Sequence, residues 1–135
     1  MSNMILFGYR DDPRVAKKLN EARSFLQRTL SKTKYASKNV RGLEFDIDIR
    51  DLMDLYIDQN GKCALTGWEL EFTRGGSFEN GTNPYVATID RIFNGVGYKK
   101  WNIQLTCWKA NKIKNSLSNR EFKDLCRSVA NRHED

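Results

Sequence analysis

Apolar side chains in the first third of the chain recur at helical spacing, with Val15, Leu19, Ala22, Leu26 and Leu30 forming one stripe. Arg14, Lys17, Glu21, Ser24, Arg28 and Lys32 trace a second, mostly basic face. Asp11, Asp12 and Pro13 precede the stripe. Asp12 is suited to cap the helix and Pro13 to take its first position, where a missing N–H costs nothing. Between Ser31 and Arg41 the stripe dissolves into Ser, Thr, Lys and Asn, and the helix is expected to fray there. Phe45 to Ile49 alternate briefly. Asp48 then caps a second helix, whose Leu52, Met53, Leu55, Tyr56 and Ile57 face a core and which ends at Asn60 and Gly61. Lys62 to Leu65 and Trp68 to Phe72 read as the arms of a hairpin around Thr66 and Gly67. Arg74 to Pro84, rich in Gly and Asn, is a loop. Tyr85 to Ile92 and Asn102 to Thr106 are two strands joined through Asn94, Gly95 and Gly97, and a helix follows from Cys107 to about Asn115. Ser118 and Glu121 open a last helix as a capping box. Helices flanking a strand-strand-helix unit predict an α+β fold.

A chain of 135 residues can bury one modest core. Residues 1–44 are therefore expected to be a basic helical extension on a domain spanning 45–135. The net charge of +6 and pI of about 9.3 favour a polyanionic partner. The charge is unevenly spread: residues 1–44 hold ten Lys or Arg against four acids, and residues 45–135 hold thirteen of each sign. A basic helix face is as often plain solvated surface as a phosphate contact; the candidates for DNA contact on this one are Arg14, Lys17, Arg28 and Lys32. No run is apolar enough to span a bilayer, and Met1 to Phe7 lack the pattern of an export signal. Three cysteines without close pairing suit a reducing cytoplasm rather than a disulfide framework.

Two polar residues stand where local structure gives them little reason to be. Asp90 ends the apolar run Val86 to Ile89, and a carboxylate buried there needs a cation or hydrogen-bond donors. Taken alone, an acid at a strand end more often caps a turn than binds metal. Asn111 lies one turn into a helix that carries Lys109, Lys112 and Lys114, although Asn is a poor helix former. Its amide oxygen is a hard ligand of the kind Mg²⁺ or Mn²⁺ accepts, and the lysines suit a phosphodiester backbone. Taken alone, it is an exposed polar residue.

In chain order, Cys63 to Gly67 (CALTG), Ile89 to Ile92 (IDRI), Gly97 and Tyr98, Asn102 to Cys107 (NIQLTC) and Asn111 to Lys114 (NKIK) resemble the HNH, or ββα-metal, endonuclease superfamily, small phage-borne members in particular. The resemblance implies a ββα-metal finger core with an N-terminal helical extension and a C-terminal helix. It implies one divalent cation, Mg²⁺ or Mn²⁺, held by Asp90 and Asn111, with Asn102 steadying the turn between the strands. It also implies duplex DNA as partner and, for a phage-encoded chain, the cytoplasm of a bacterial host. The endonuclease VII branch of this layout carries paired cysteines at two knuckles around a structural zinc. Here Thr66 and Ala110 stand where the second cysteine of each pair would be. Two thiolates do not make a tetrahedral zinc site. No structural zinc is expected, Cys63 and Cys107 are expected as neighbouring buried thiols, and Cys126 as a core residue of the last helix.

The chain departs from the superfamily pattern at Arg91, where the resemblance calls for the histidine that deprotonates water. Arginine cannot serve as that base. A metal-acidified water could pass its proton to solvent hydroxide or a phosphate oxygen, Tyr98 or Lys114 could accept it after a large pKa depression, or His133 could fold back from a tail expected over residues 131–135. Arg91 is then expected to be an electrophile on the scissile phosphate, with Lys112 and Lys114 gripping flanking phosphates. The expected function is a divalent-metal-dependent DNA endonuclease using Asp90, Arg91, Asn102, Asn111 and Lys114. It would nick DNA with little sequence preference, as a monomer or a homodimer, and make double-strand breaks in a dimer or in two visits. The alternative is a finger that lost catalysis with its histidine and only binds nucleic acid. A weaker third reading, RNA binding, rests on the basic helix and on aromatics such as Tyr9, Tyr35 and Trp101; by default Trp68, Trp101 and Trp108 belong to the core.

Overall fold

Capping chemistry sets where the helices begin. In the computed structural model, which describes residues 12–75 and 81–134, α1 (Pro13–Ala36) starts at Asp12, whose Oδ1 accepts from Arg14 N at 2.8 Å. Helix α2 (Ile49–Asp58) starts with a reciprocal Asp48–Asp51 box, both bonds 3.0 Å. The last helix, Asn119–Arg132, starts with the Ser118–Glu121 box. Each box satisfies two N–H groups that a helix start otherwise leaves orphaned. Asp11, Tyr9, residues 76–80 of the loop and Asp135 lie outside the described residues.

The first helix does not fray. It runs to Ala36 and then widens into a π-helical turn, Ser37–Arg41. Ser31, Thr33, Ser37 and Asn39 donate side-chain hydrogen bonds back to the carbonyls of Gln27, Thr29, Lys34 and Tyr35. The polar residues that suggested fraying thus turn their side chains onto the preceding turn while the backbone stays helical. Gly42 stops it at φ 64°, and Leu43 N closes the end on Ser37 O at 2.8 Å. A left-handed residue there is strained for any side chain but favourable for Gly.

Strand β1 (Phe45–Asp46) pairs in parallel with β3 (Tyr98–Lys99), and β2 (Ala87–Arg91) pairs antiparallel with β4 (Ile103–Cys107), which leads directly into α3 (Trp108–Lys114). The helix Asn119–Arg132 is α4. The fold is α+β. Val15, Ala22, Phe25, Leu26 and Leu30 of α1 are buried in one cluster with Leu52 and Tyr56 of α2 and with Ile89, Ile103 and Leu105 of the β2–β4 pair. The first helix therefore shares its core with the strand-strand-helix unit.

Other expectations need correction. Residues 62–72 form no regular hairpin: one antiparallel bridge joins Lys62 to Glu69, and Glu71 instead bridges Val86 in parallel. The reason is competition for backbone groups, because Ala64 N bonds Leu105 O and Glu71 N bonds Tyr85 O, both at 2.9 Å. Cys126 is exposed rather than core. Trp68 and Trp101 are 44% and 64% exposed. Helix α4 takes in the first two residues of the stretch read as a tail, Asn131 and Arg132, with His133 as its C-cap. Among the described residues no helix is long and apolar enough to cross a membrane.

Candidate active site

Antiparallel register places Gln104 opposite Asp90 and Thr106 opposite Thr88. Side chains two apart share a face of a strand, so these four make a polar face on an otherwise apolar pair. Helix α3 brings Asn111 and Lys114, one turn apart, onto it. Lys114 Nζ donates to Asp90 Oδ2 at 2.9 Å and to Arg91 O at 3.0 Å. Gln104 Nε2 donates to the same carboxylate oxygen at 2.9 Å and exchanges two bonds, 2.8 and 3.0 Å, with Asn119 at the start of α4. Asp90 is 6% exposed and Lys114 1%. Lys114, expected on a phosphate or as a base, is instead the buried counterion of Asp90. A carboxylate this deep needs one, which is why the lysine folds inward.

Asn111 is oriented as firmly. Thr88 Oγ1 donates to Thr106 O at 2.9 Å and accepts from Asn111 Nδ2 at 3.0 Å. With its proton spent on Thr106, the hydroxyl can only accept from the amide, which fixes the amide nitrogen inward and leaves Oδ1 unengaged. No described residue donates to Asn111 Oδ1 or to Asp90 Oδ1. Both residues line a cleft of about 370 Å³ together with Arg41, Arg91, Tyr98 and Lys112. One carboxylate and one amide oxygen form a donor set that suits Mg²⁺ or Mn²⁺, ions that keep several waters and share phosphate oxygens. Among the described residues no three His, Cys, Asp or Glu side chains gather as a metal cluster.

The turn beside the cleft is held by two residues. Asn102, fully buried, accepts from Phe93 N at 2.9 Å and donates to the carbonyls of Phe93, Val96 and Gly97. Arg91 reaches into the same turn, donating to Asn94 O, to Val96 O at 3.3 Å and to Asn94 Oδ1 at 3.0 Å. Its guanidinium carbon lies 5.4 Å from the Tyr98 ring centroid. These bonds use three of the five guanidinium N–H donors.

Of the remaining basic candidates, Lys109 and Lys112 are exposed on α3, and Lys112 Nζ stands 4.8 Å from the Trp108 ring centroid. Arg14, Lys17, Arg28 and Lys32 are exposed on α1 but do not line the cleft, and Arg14 is paired with Asp12 at 2.7 Å. His133 does not line it either.

Cys63 and Cys107 are buried together, Cys107 N donating to Cys63 Sγ at 3.3 Å. Burial raises the Cys63 thiol pKa, but hydrogen bonds from the Thr66 side chain and from three backbone N–H groups outweigh it, and the net shift is downward. Burial drives Cys107 upward, and the Cys63 sulfur beside it adds to the rise.

Gln104, Asn119, Asn94 and Arg41 belong to this site although sequence reasoning passed over them. A signal existed for Gln104, a polar residue inside the apolar strand IQLTC, but only the strand register shows that it meets Asp90. Arg41 carried no signal beyond its charge.

No protein-family profile and no curated protein matches the sequence. Among solved structures the chain is similar to PacI, described as a rare-cutting HNH restriction endonuclease with an extraordinary mechanism of DNA perturbation. The TM-score is 0.55 at 20% identity, covering 77% of this chain and 75% of that one. At that identity the likeness establishes the fold, and the fold is that of an HNH endonuclease structure.

Proposed function

We propose that the protein is a divalent-metal-dependent endonuclease that hydrolyses phosphodiester bonds of duplex DNA, cutting one strand per visit with little sequence preference. The observation that carries this reading is the pair of unengaged oxygens, Asp90 Oδ1 and Asn111 Oδ1, on a cleft walled by Arg41, Arg91 and Lys112. A hard dication beside a polyanion fits that combination. The similarity of fold to PacI supports it. Asp90 and Asn111 would hold Mg²⁺ or Mn²⁺, which when bound supplies charge neutralisation and an acidified water.

The chain's own contribution is preorganisation. Lys114 and Gln104 fix Oδ2 of Asp90 so that Oδ1 remains for the cation, and Thr88 does the same for the amide of Asn111. Asn102 keeps the 93–97 turn in place as a positioning residue. Arg91 has two N–H donors left for a phosphate oxygen, where charge grows in the transition state. Lys109 and Lys112 meet flanking phosphates, and the water's proton leaves through solvent or a phosphate oxygen. Residues 1–44 and 45–135 differ in task, duplex contact against chemistry, rather than in core.

Retained DNA binding without cleavage is the second reading, favoured by one fact: most of Arg91's donors are spent inside the protein and the chain's one histidine lies away from the cleft. Supercoiled plasmid incubated with Mg²⁺, Mn²⁺ or EDTA separates the two, with Asp90→Ala run in parallel. Metal-dependent open circles that vanish in the variant are expected. Intact plasmid under every metal, with DNA still bound, would overturn the nuclease reading.

A further inference from the structure

The cleft has three cationic side chains, Arg41, Arg91 and Lys112, against one carboxylate, Asp90, whose charge Lys114 already compensates. Two of the three, Arg41 and Arg91, lie against the same ring, their guanidinium carbons 5.7 and 5.4 Å from the Tyr98 centroid. Like charges so placed repel, and an anion between them removes the cost. The two guanidiniums are not equivalent. Arg91 is tied to the turn by three hydrogen bonds. Arg41 is exposed and makes no side-chain hydrogen bond or ion pair with any described residue. A cation–π contact orients a guanidinium without consuming an N–H, so all five of its donors stay available.

Its position is built, not incidental. The π-helical turn Ser37–Arg41 and left-handed Gly42 end α1 directly before β1. β1 then pairs with β3, bringing Phe45 opposite Tyr98 and bonding Tyr98 N to Glu44 O at 2.8 Å. Gly97 permits this approach, because a Cβ there would overlap the Glu44 backbone. The end of α1 is thereby locked to the residue on which Arg41 rests. π turns are frequent at functional sites.

We propose that Arg41 is the principal phosphate clamp of this cleft, taking a non-bridging oxygen pair of the DNA backbone next to the scissile bond, a role for which it keeps all five donors where Arg91 keeps two. The inference rests on the nuclease reading for its place beside the scissile bond, but not for phosphate binding itself.

The test uses short duplexes in which single phosphates are replaced in turn by neutral methylphosphonate, with binding measured in EDTA and cleavage in Mn²⁺. In the wild type, one substitution should weaken binding about tenfold, and the same substitution should do nothing further in Arg41→Ala or in Arg41→Gln, which keeps more of the stem. Both variants should also show a salt slope shallower by about one, whereas Lys34→Ala, an equal charge loss on α1, should leave the methylphosphonate profile unchanged. Thermal melts identify any variant that fails to fold, and the other of the two then decides. An unaltered profile in a folded Arg41 variant would overturn the clamp. Absence of cleavage by the wild type, with the Arg41-dependent phosphate still evident in EDTA, would overturn the nuclease reading and leave the clamp standing.

Discussion

Replacing Lys114 with Met tests how Asp90 is held. The pair is 2.9 Å apart with side chains 1% and 6% exposed, so its attraction at an effective dielectric near 20 is of order ~6 kcal/mol. Much of that offsets desolvation, and losing one partner of such a pair typically costs about 3–5 kcal/mol. Met fills most of the lysine stem's volume, so little of the loss comes from packing. For a chain of this length the melting temperature should fall by roughly 10–20 °C. Thermal melts in EDTA read that loss. The same variant should recover on adding Mn²⁺, because the cation now compensates a carboxylate that no ammonium neutralises; saturation to about a hundredfold over Kd returns ~2.7 kcal/mol. Adding Asp90→Asn to Lys114→Met should recover stability without metal and abolish the Mn²⁺ response. A single variant that melts within about 2 °C of wild type, or a double variant less stable than the single, would refute Lys114 as the counterion.

Two further outcomes are expected. The Asp12 carboxyl is held down at about 2 by hydrogen bonds from the Arg14 side chain and backbone; its folded pKa lies below the unfolded value, so its contribution is complete above about pH 4 and is lost as pH falls through 2. Asp12→Asn should flatten that limb of the pH–stability curve, and an unchanged acid limb would remove Asp12 as its source. With a colourimetric disulfide reagent, exposed Cys126 should react at once while buried Cys63 and Cys107 wait on unfolding. Two fast thiols would contradict the burial of the Cys63–Cys107 pair.

Much of the architecture was legible because it is local. The capping signals at Asp12, Asp48 and Ser118 and the period of the following apolar residues need no knowledge of distant chain. The order Asp90, Asn102, Asn111 also located the elements of the cleft. What stayed hidden depends on register and tertiary choice. Lys114 reads as one more surface lysine on a basic helix until the β2–β4 pairing buries Asp90 beneath it. Gln104 acquires meaning only opposite Asp90. The segment 62–72 alternates like a hairpin, yet its backbone groups find better partners at Leu105 and Tyr85. The polar run 31–41 has poor intrinsic helix character, and it stays helical where tertiary packing buries Leu30 and Ser37.

The short parallel pairing of Phe45 with Tyr98 also bears on when the molecule can act. Its partners are far apart along the chain, and parallel strands cannot be zipped from a tight turn, so loop-closure entropy must be met before the pairing forms. Contacts of this kind are slow to form. Arg41 and Tyr98 therefore meet only once this pairing has closed, and a chain without it carries its basic helix without a finished cleft. The finished cleft is thereby confined to the fully paired molecule.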